Sequence, residues 1–179
     1  MKTYVELLEN LGSPCPETNE PVSDAEARKF VATWSSTLRK VFGVDFEFST
    51  HFLKDRLNDK RNKSQISTCE LTFVLNKFFK KFASQFKQDV DDVMNNRAKG
   101  RGKNRDRLRP NEFEYVVTSR STDINIVFAL KQNRGRKGTA IMLPVTIMRK
   151  RGFGVNKGEQ IIVEDLDMTI EKDMWFEVD

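Results

Sequence analysis

A chain of 179 residues with 38% hydrophobic and 32% charged side chains can bury one core and is too short for two large domains. No apolar run approaches the roughly 18 residues that a membrane span needs, and the first residues lack the apolar centre of a secretory signal, so a soluble protein with no membrane partner is expected. The net charge of +5 hides an asymmetry: residues 159–179 hold eight acids and one lysine, which leaves 30 basic against 18 acidic groups in residues 1–158. So basic a body favours an anionic partner, most simply nucleic acid.

In chain order, Met1 to Glu9 form a short amphipathic segment, and Gly12, Ser13, Pro14, Pro16 and Pro21 follow in a polar stretch, so residues 1–22 read as leader and linker. Ser23 with Glu26 makes a capping box, after which Ala27, Phe30, Val31, Trp34, Leu38, Val41 and Phe42 recur at helical spacing until Gly43. A helix over 24–42 is predicted, and its aromatic stripe, confined to one face, is core. Val44 to Phe48 alternate as a short strand. Cys15 and Cys69 are far apart, and Cys69 stands in an apolar helical stretch. Neither a disulfide nor a zinc site is expected, and a reducing compartment follows.

The only histidine, His51, stands where Ser49 or Thr50 can cap a new helix. Phe52, Leu53 and Leu57 define its buried side, His51 and Asp55 lie together on the other side, and Arg56 falls inside the apolar sector. An arginine there either is held rigidly to meet a phosphate or covers apolar surface with its stem while its head reaches water. A neutral imidazole at physiological pH can accept a proton, so His51 is either a proton acceptor or a surface residue.

A second capping box, Ser67 with Glu70, opens the longest helix, with Leu71, Val74, Leu75, Phe78, Phe79, Phe82, Phe86, Val90 and Val93 on a broad apolar face and Lys77 among the outer lysines. Between residues 95 and 111 the composition changes: Arg97, Lys99, Arg101, Lys103, Arg105, Arg107 and Arg109 alternate with small or polar residues, and Asp106 alone opposes them. A flexible basic loop without an apolar anchor is expected, able to release counterions from several phosphates without reading sequence. After Pro110 the period becomes two, giving strands around Phe113 to Val117, Ile124 to Leu130 and Ile141 to Ile147, with Pro144 at a bulge or edge. Arg149, Lys150 and Arg151 close the third strand, and Gln160 to Val163 can add a fourth. Residues 23–163 thus read as a single α+β domain of helices followed by an antiparallel sheet, and 164–179 as an acidic tail.

Two resemblances attach to these residues. The first nine resemble the capsid-targeting leader of T-even-type bacteriophage internal head proteins, which begins Met-Lys-Thr-Tyr/Phe and ends at a Leu/Ile-x-Glu processing site. Leu7-Leu8-Glu9 fits that site and implies cleavage between Glu9 and Asn10, packaging in the phage capsid and, as one reading, a noncatalytic DNA-binding internal head protein.

The second resemblance runs over residues 44–163. The order of Ser49-Thr50-His51-Phe52-Leu53 with Asp55-Arg56, then Glu70-Leu71, then a strand ending Thr146-Ile147-Met148-Arg149-Lys150 resembles the RelE/RegB superfamily of small endoribonucleases. This implies helices packed on an antiparallel sheet and an RNA-binding protein of the host cytoplasm that cuts messenger RNA, with the ribosome as a further partner and neither metal nor cofactor. Such enzymes activate the 2′-hydroxyl against the adjacent phosphate, which takes a base, cations around the phosphorane and an acid for the leaving oxygen. The resemblance makes His51 the base beside Asp55, with Arg56 and Arg61, and Arg120, Lys131 or Arg149 from the sheet, as charge stabilisers. Lys150 and Arg151 join them as backbone contacts. The second histidine of the phage enzyme has no counterpart near Leu75-Asn76-Lys77, so either a lysine such as Lys77 serves as the acid or the protein keeps the fold and binds RNA without cutting it.

Overall fold

The computed structural model describes residues 15, 20–102, 104–155 and 158–163. The predicted leader cleavage site at Glu9 and Asn10, Lys103 and the acidic segment 164–179 lie outside them. Among the described residues there are three α-helices and five strands, with the helices packed on one face of the sheet. The α+β class is as expected.

Helix α1 (Asp24–Phe42) begins where Ser23 and Glu26 form both halves of the capping box. It ends at Gly43, whose φ of 67° is open to glycine at little cost. Ala27, Phe30, Trp34 and Leu38 are its buried stripe. The chain turns directly into β1 (Val44–Phe46), and Ser49 then caps α2 (Thr50–Leu57), its hydroxyl accepting from the Phe52 N–H at 3.0 Å. Helix α3 (Thr68–Met94), capped by Ser67 and Glu70, is the main packing element. Its Phe78, Phe82 and Phe86 surround Tyr115 of the sheet at ring distances of 6.1, 5.8 and 6.0 Å. Trp34 of α1 meets Phe79 of the same helix at 5.6 Å, so one aromatic layer joins helix to helix and helix to sheet.

Strands β2 (Glu112–Ser119), β3 (Ile124–Gln132) and β4 (Ala140–Arg149) pair antiparallel, as the alternation predicts. The expectation of a wholly antiparallel sheet needs correcting at both edges. The strand order is β1-β4-β3-β2-β5, and β1 lies parallel to β4 while β5 (Glu159–Ile162) lies parallel to β2. Parallel neighbours need a crossover, not a hairpin. Here α2, α3 and two further strands separate β1 from β4 in the chain, and β5, next in the chain after β4, lies beyond β3 and β2 at the far edge. Pro144 sits at a bulge in an interior strand: Val127 pairs with Thr146 and Phe128 with Pro144, so Val145 has no partner and is 46% exposed.

A second correction concerns the cysteines, for Cys15 and Cys69 form a disulfide. Cys69 stands in the first turn of α3 and is only partly buried, so it meets residue 15 at the rim and not in the core. The bond closes a sequence separation of 54 residues. Restricting the unfolded chain over such a loop contributes about 2–4 kcal/mol. Cys15→Ser and Cys69→Ser, singly or together, should therefore lower the urea midpoint by the same amount as adding reductant to the parent protein. Equal midpoints for oxidised parent and variants would show that the bond does not support the fold.

Candidate nucleic-acid interface

Antiparallel pairing of β2, β3 and β4 brings the β2–β3 turn and the end of β4 to one end of the sheet. Asn125, fully buried, ties them together: its amide donates to the Asp123 carbonyl at 3.0 Å and to the Lys150 carbonyl at 2.8 Å, while the Lys150 N–H donates to the Asp123 carbonyl at 2.8 Å. The result is a depression of about 310 Å³ lined by Thr118, Ser119 and Asp123 and by the cations Arg120, Lys150 and Arg151. Three positive side chains from two segments thus share one concavity with a single carboxylate. Three cations beside one carboxylate can attract an anion, while Thr118 is used internally, donating to Asn125 Oδ1 at 3.0 Å, and Ser119 is fully buried.

Arg149, one residue earlier, is committed to the protein itself. Its guanidinium donates to the Thr122 carbonyl at 2.8 Å, to the Gln65 carbonyl at 2.9 Å and to both oxygens of Glu70 at 2.9 and 3.0 Å, and the side chain is only 17% exposed. Its backbone N–H donates to Asn62 Oδ1 at 2.9 Å, and Asn62 in turn donates to the Arg56 carbonyl at 2.7 Å. Arg149 therefore bolts β4 to the capping box of α3 and to the 3-10 turn Lys60–Asn62. This places Lys60, Arg61 and Lys63, all exposed, on a turn bonded to the end of β4. Arg61 reaches back to Asp59, and its hydrogen bonds hold that carboxyl at about 2.

His51 stands at the opposite end of α2 from these contacts. It is 88% exposed, with Nε2 3.2 Å from Asp55 Oδ2, as the four-residue spacing implies. Lys54 beside it bonds Asp24, which docks this end of α2 on α1. Arg56 lays its guanidinium over Phe52 at 5.2 Å, joining the covering role to an outward-facing head. Lys77, on α3, holds its ammonium 4.3 Å from the Phe73 ring. Lys131 is half-buried on β3 opposite Glu112. The structure thus gathers Arg120, Lys150 and Arg151, brings the Arg61 turn against the same strand end, and leaves the His51–Asp55 pair apart on α2.

The basic segment 97–109 has anchors that its composition does not advertise, a correction to the expectation of none. Arg101 makes a two-pronged pair with Asp89 of α3, bonds Glu159 of β5 at 2.8 Å and lies over Phe113 at 4.8 Å. Tyr115 donates its hydroxyl to the same Asp89, which is fully buried. Burial and the Asp89 charge push the Tyr115 hydroxyl well above its ordinary range; burial opposes the Arg101 charge, but Asp89 and Glu159 raise that group. Gly102 (φ 89°) lies against Gly158 with no room for a side chain, and Leu108 closes over Gly100. Asn111 fixes the far end, donating to the Val93 carbonyl at 2.8 Å. Arg105–Arg107 form a 3-10 turn, and Lys99, Arg107 and Arg109 remain exposed. Arg97 lies 3.6 Å from Asp92.

Among the described residues, no group of three or more His, Cys, Asp or Glu is placed to hold a metal ion, and no helix is long and apolar enough to cross a membrane. Fold and site together define a basic α+β protein, three helices on a mixed five-stranded sheet with cations gathered at the sheet's end. No family model, no curated protein and no solved structure matches this chain.

Proposed function

We propose that this protein binds nucleic acid, RNA in preference to DNA, and that Arg120, Lys150 and Arg151 take its backbone phosphates. The observation that carries the reading is the convergence of these three cations, from two segments, on one depression with a single carboxylate. Phosphate contacts of this kind position a strand without reading its bases. The preference for RNA draws on the resemblance of the His51 and α3 motifs to the RelE/RegB superfamily.

A metal-independent endoribonuclease acting on messenger RNA is the second reading, and the His51–Asp55 pair favours it. A carboxylate 3.2 Å from the imidazole orients a base. In such scission His51 takes the proton of a ribose 2′-hydroxyl, that oxygen attacks the adjacent phosphorus, and the 5′-oxygen leaves with a proton from an acid, giving a cyclic phosphate. Full-length protein incubated with RNA and with DNA in EDTA separates the possibilities. RNA held in preference to DNA supports the proposal. RNA fragments ending in cyclic phosphate, lost by roughly 10²–10⁴-fold in His51→Ala while affinity stays, support the nuclease. Intact RNA after prolonged incubation removes the nuclease, and DNA held in preference supports an internal head protein packaged with the genome.

A further inference from the structure

The opposite end of the sheet carries a cationic feature that the depression does not use. The hairpin between β3 and β4 presents Arg134, Arg136 and Lys137 to solvent. It is internally braced: the Asn133 N–H donates to the Thr139 carbonyl at 2.9 Å, Asn133 Oδ1 accepts from the Gly135 N–H at 2.9 Å, and Thr139 Oγ1 donates to the Arg136 carbonyl at 2.9 Å. Its base is clipped to β1 through Asp45. One carboxylate oxygen accepts from Asn133 at 3.0 Å and, at 3.3 Å, shares the single Thr139 hydroxyl proton with the Arg136 carbonyl; the other accepts from Arg39 Nε and Nη2 at 3.0 and 2.8 Å, with Arg136 at 3.6 Å.

Asp45, only 13% exposed, pairs with Arg39 and Arg136, so one carboxylate stands among five exposed cations. Arg39, Lys40, Arg134, Arg136 and Lys137 are all exposed. Gln132, at the hairpin's start, bonds the Val93 carbonyl at 3.0 Å and Asn96 at 3.1 Å, which sets the hairpin beside the root of the basic segment 97–109. Cations held in a fixed frame lose less freedom on meeting a polyanion than cations on a loose arm.

We infer that the β3–β4 hairpin is a second phosphate-backbone contact, so that one nucleic-acid strand is held at both ends of the sheet. This rests on the nucleic-acid reading above. The nine residues of β3 separate the two contacts by about 30 Å. At about 3.4 Å per stacked nucleotide, about nine nucleotides bridge them.

The test uses full-length protein and single-stranded RNAs of graded length from four to 24 nucleotides, titrated at several salt concentrations. Affinity should step up near nine nucleotides. Arg134→Ser with Lys137→Ser, both on the exposed tip, should remove that step, leave the shortest RNAs bound as before, and flatten the slope of log affinity against log salt for long RNA by about 1.4. Asp45→Asn gives an independent reading, since net charge alone predicts tighter binding whereas loss of the clip predicts weaker binding of long RNA only. An unchanged step and slope in the hairpin variant overturn the second contact, even while loss of binding in Arg120→Ser with Lys150→Ser keeps the first. The reverse pattern overturns the first and keeps the second. No binding of the parent to any RNA or DNA at low salt overturns both.

Discussion

Asp89→Leu should lower the free energy of unfolding by about 3–5 kcal/mol, because it strips a partner from a half-buried charge and from a buried hydroxyl at once. The Arg101 side chain is 31% exposed and would keep only Glu159. Tyr115, fully buried, would keep no acceptor for its hydroxyl in place of Asp89. Arg101→Leu in the same chain should recover part of the loss, since the guanidinium is no longer left without Asp89, while Glu159 loses its Arg101 partner and the Tyr115 hydroxyl still lacks its acceptor. Urea midpoints for parent, single and double variants decide it, and a parent-like midpoint in the single variant would show that the network carries no stability. The same network gives an alkaline signature. Tyr115 is raised by burial and by Asp89, so its contribution is intact below the ordinary tyrosine value of 10.0 and is lost as pH climbs above it, when the unfolded phenol ionises and the folded one resists. Tyr115→Phe should lose less stability than the parent between neutral pH and pH 11.

This network was legible in part. Asp89 lies three residues after Phe86 and four before Val93, inside the apolar stripe of α3, and a carboxylate there signals a partner just as Arg56 does on α2. Which cation answers it is a tertiary fact, since Arg101 is twelve residues on in a segment whose composition reads as solvated. Leu108, the one sizeable apolar side chain in that segment, was the cue that it closes on itself. Capping boxes at Ser23 and Ser67, the Ser49 cap and the His51–Asp55 pairing are local, within four residues, and so are readable from spacing. The strands β2 to β4 were readable because one face of each is apolar and the turns are short. Strand direction at the edges was not: β1 and β5 were expected as strands, but their partners and directions are set by crossovers and not by their own alternation. The Cys15–Cys69 pairing, 54 residues apart, has no local signature at all. Within the site, Lys150 and Arg151 were marked as basic residues closing a strand, and Arg120 only by the RelE/RegB resemblance. Their convergence depends on the β2–β3–β4 register and on Asn125, which nothing in the sequence marks.

Arg120→Ser with Lys150→Ser and Arg151→Ser should weaken RNA binding by about 10²-fold at physiological salt, because each phosphate neutralised contributes about four- to fivefold there. All three side chains stand at the sheet's end, outside the core formed by the helices and the inner sheet face, so the fold should persist. Arg149 is the contrasting position. Arg149→Ser breaks the links to Glu70, Gln65 and Thr122 and should cost stability in place of a phosphate contact.

The dependence of RNA affinity on salt in parent and triple variant tests most directly the proposal that this depression takes backbone phosphates. With three backbone contacts removed, the slope of log affinity against log salt should flatten by about 2 for single-stranded RNA. A variant that stays folded and keeps both the affinity and the slope of the parent would contradict the assignment of Arg120, Lys150 and Arg151 to the nucleic-acid backbone.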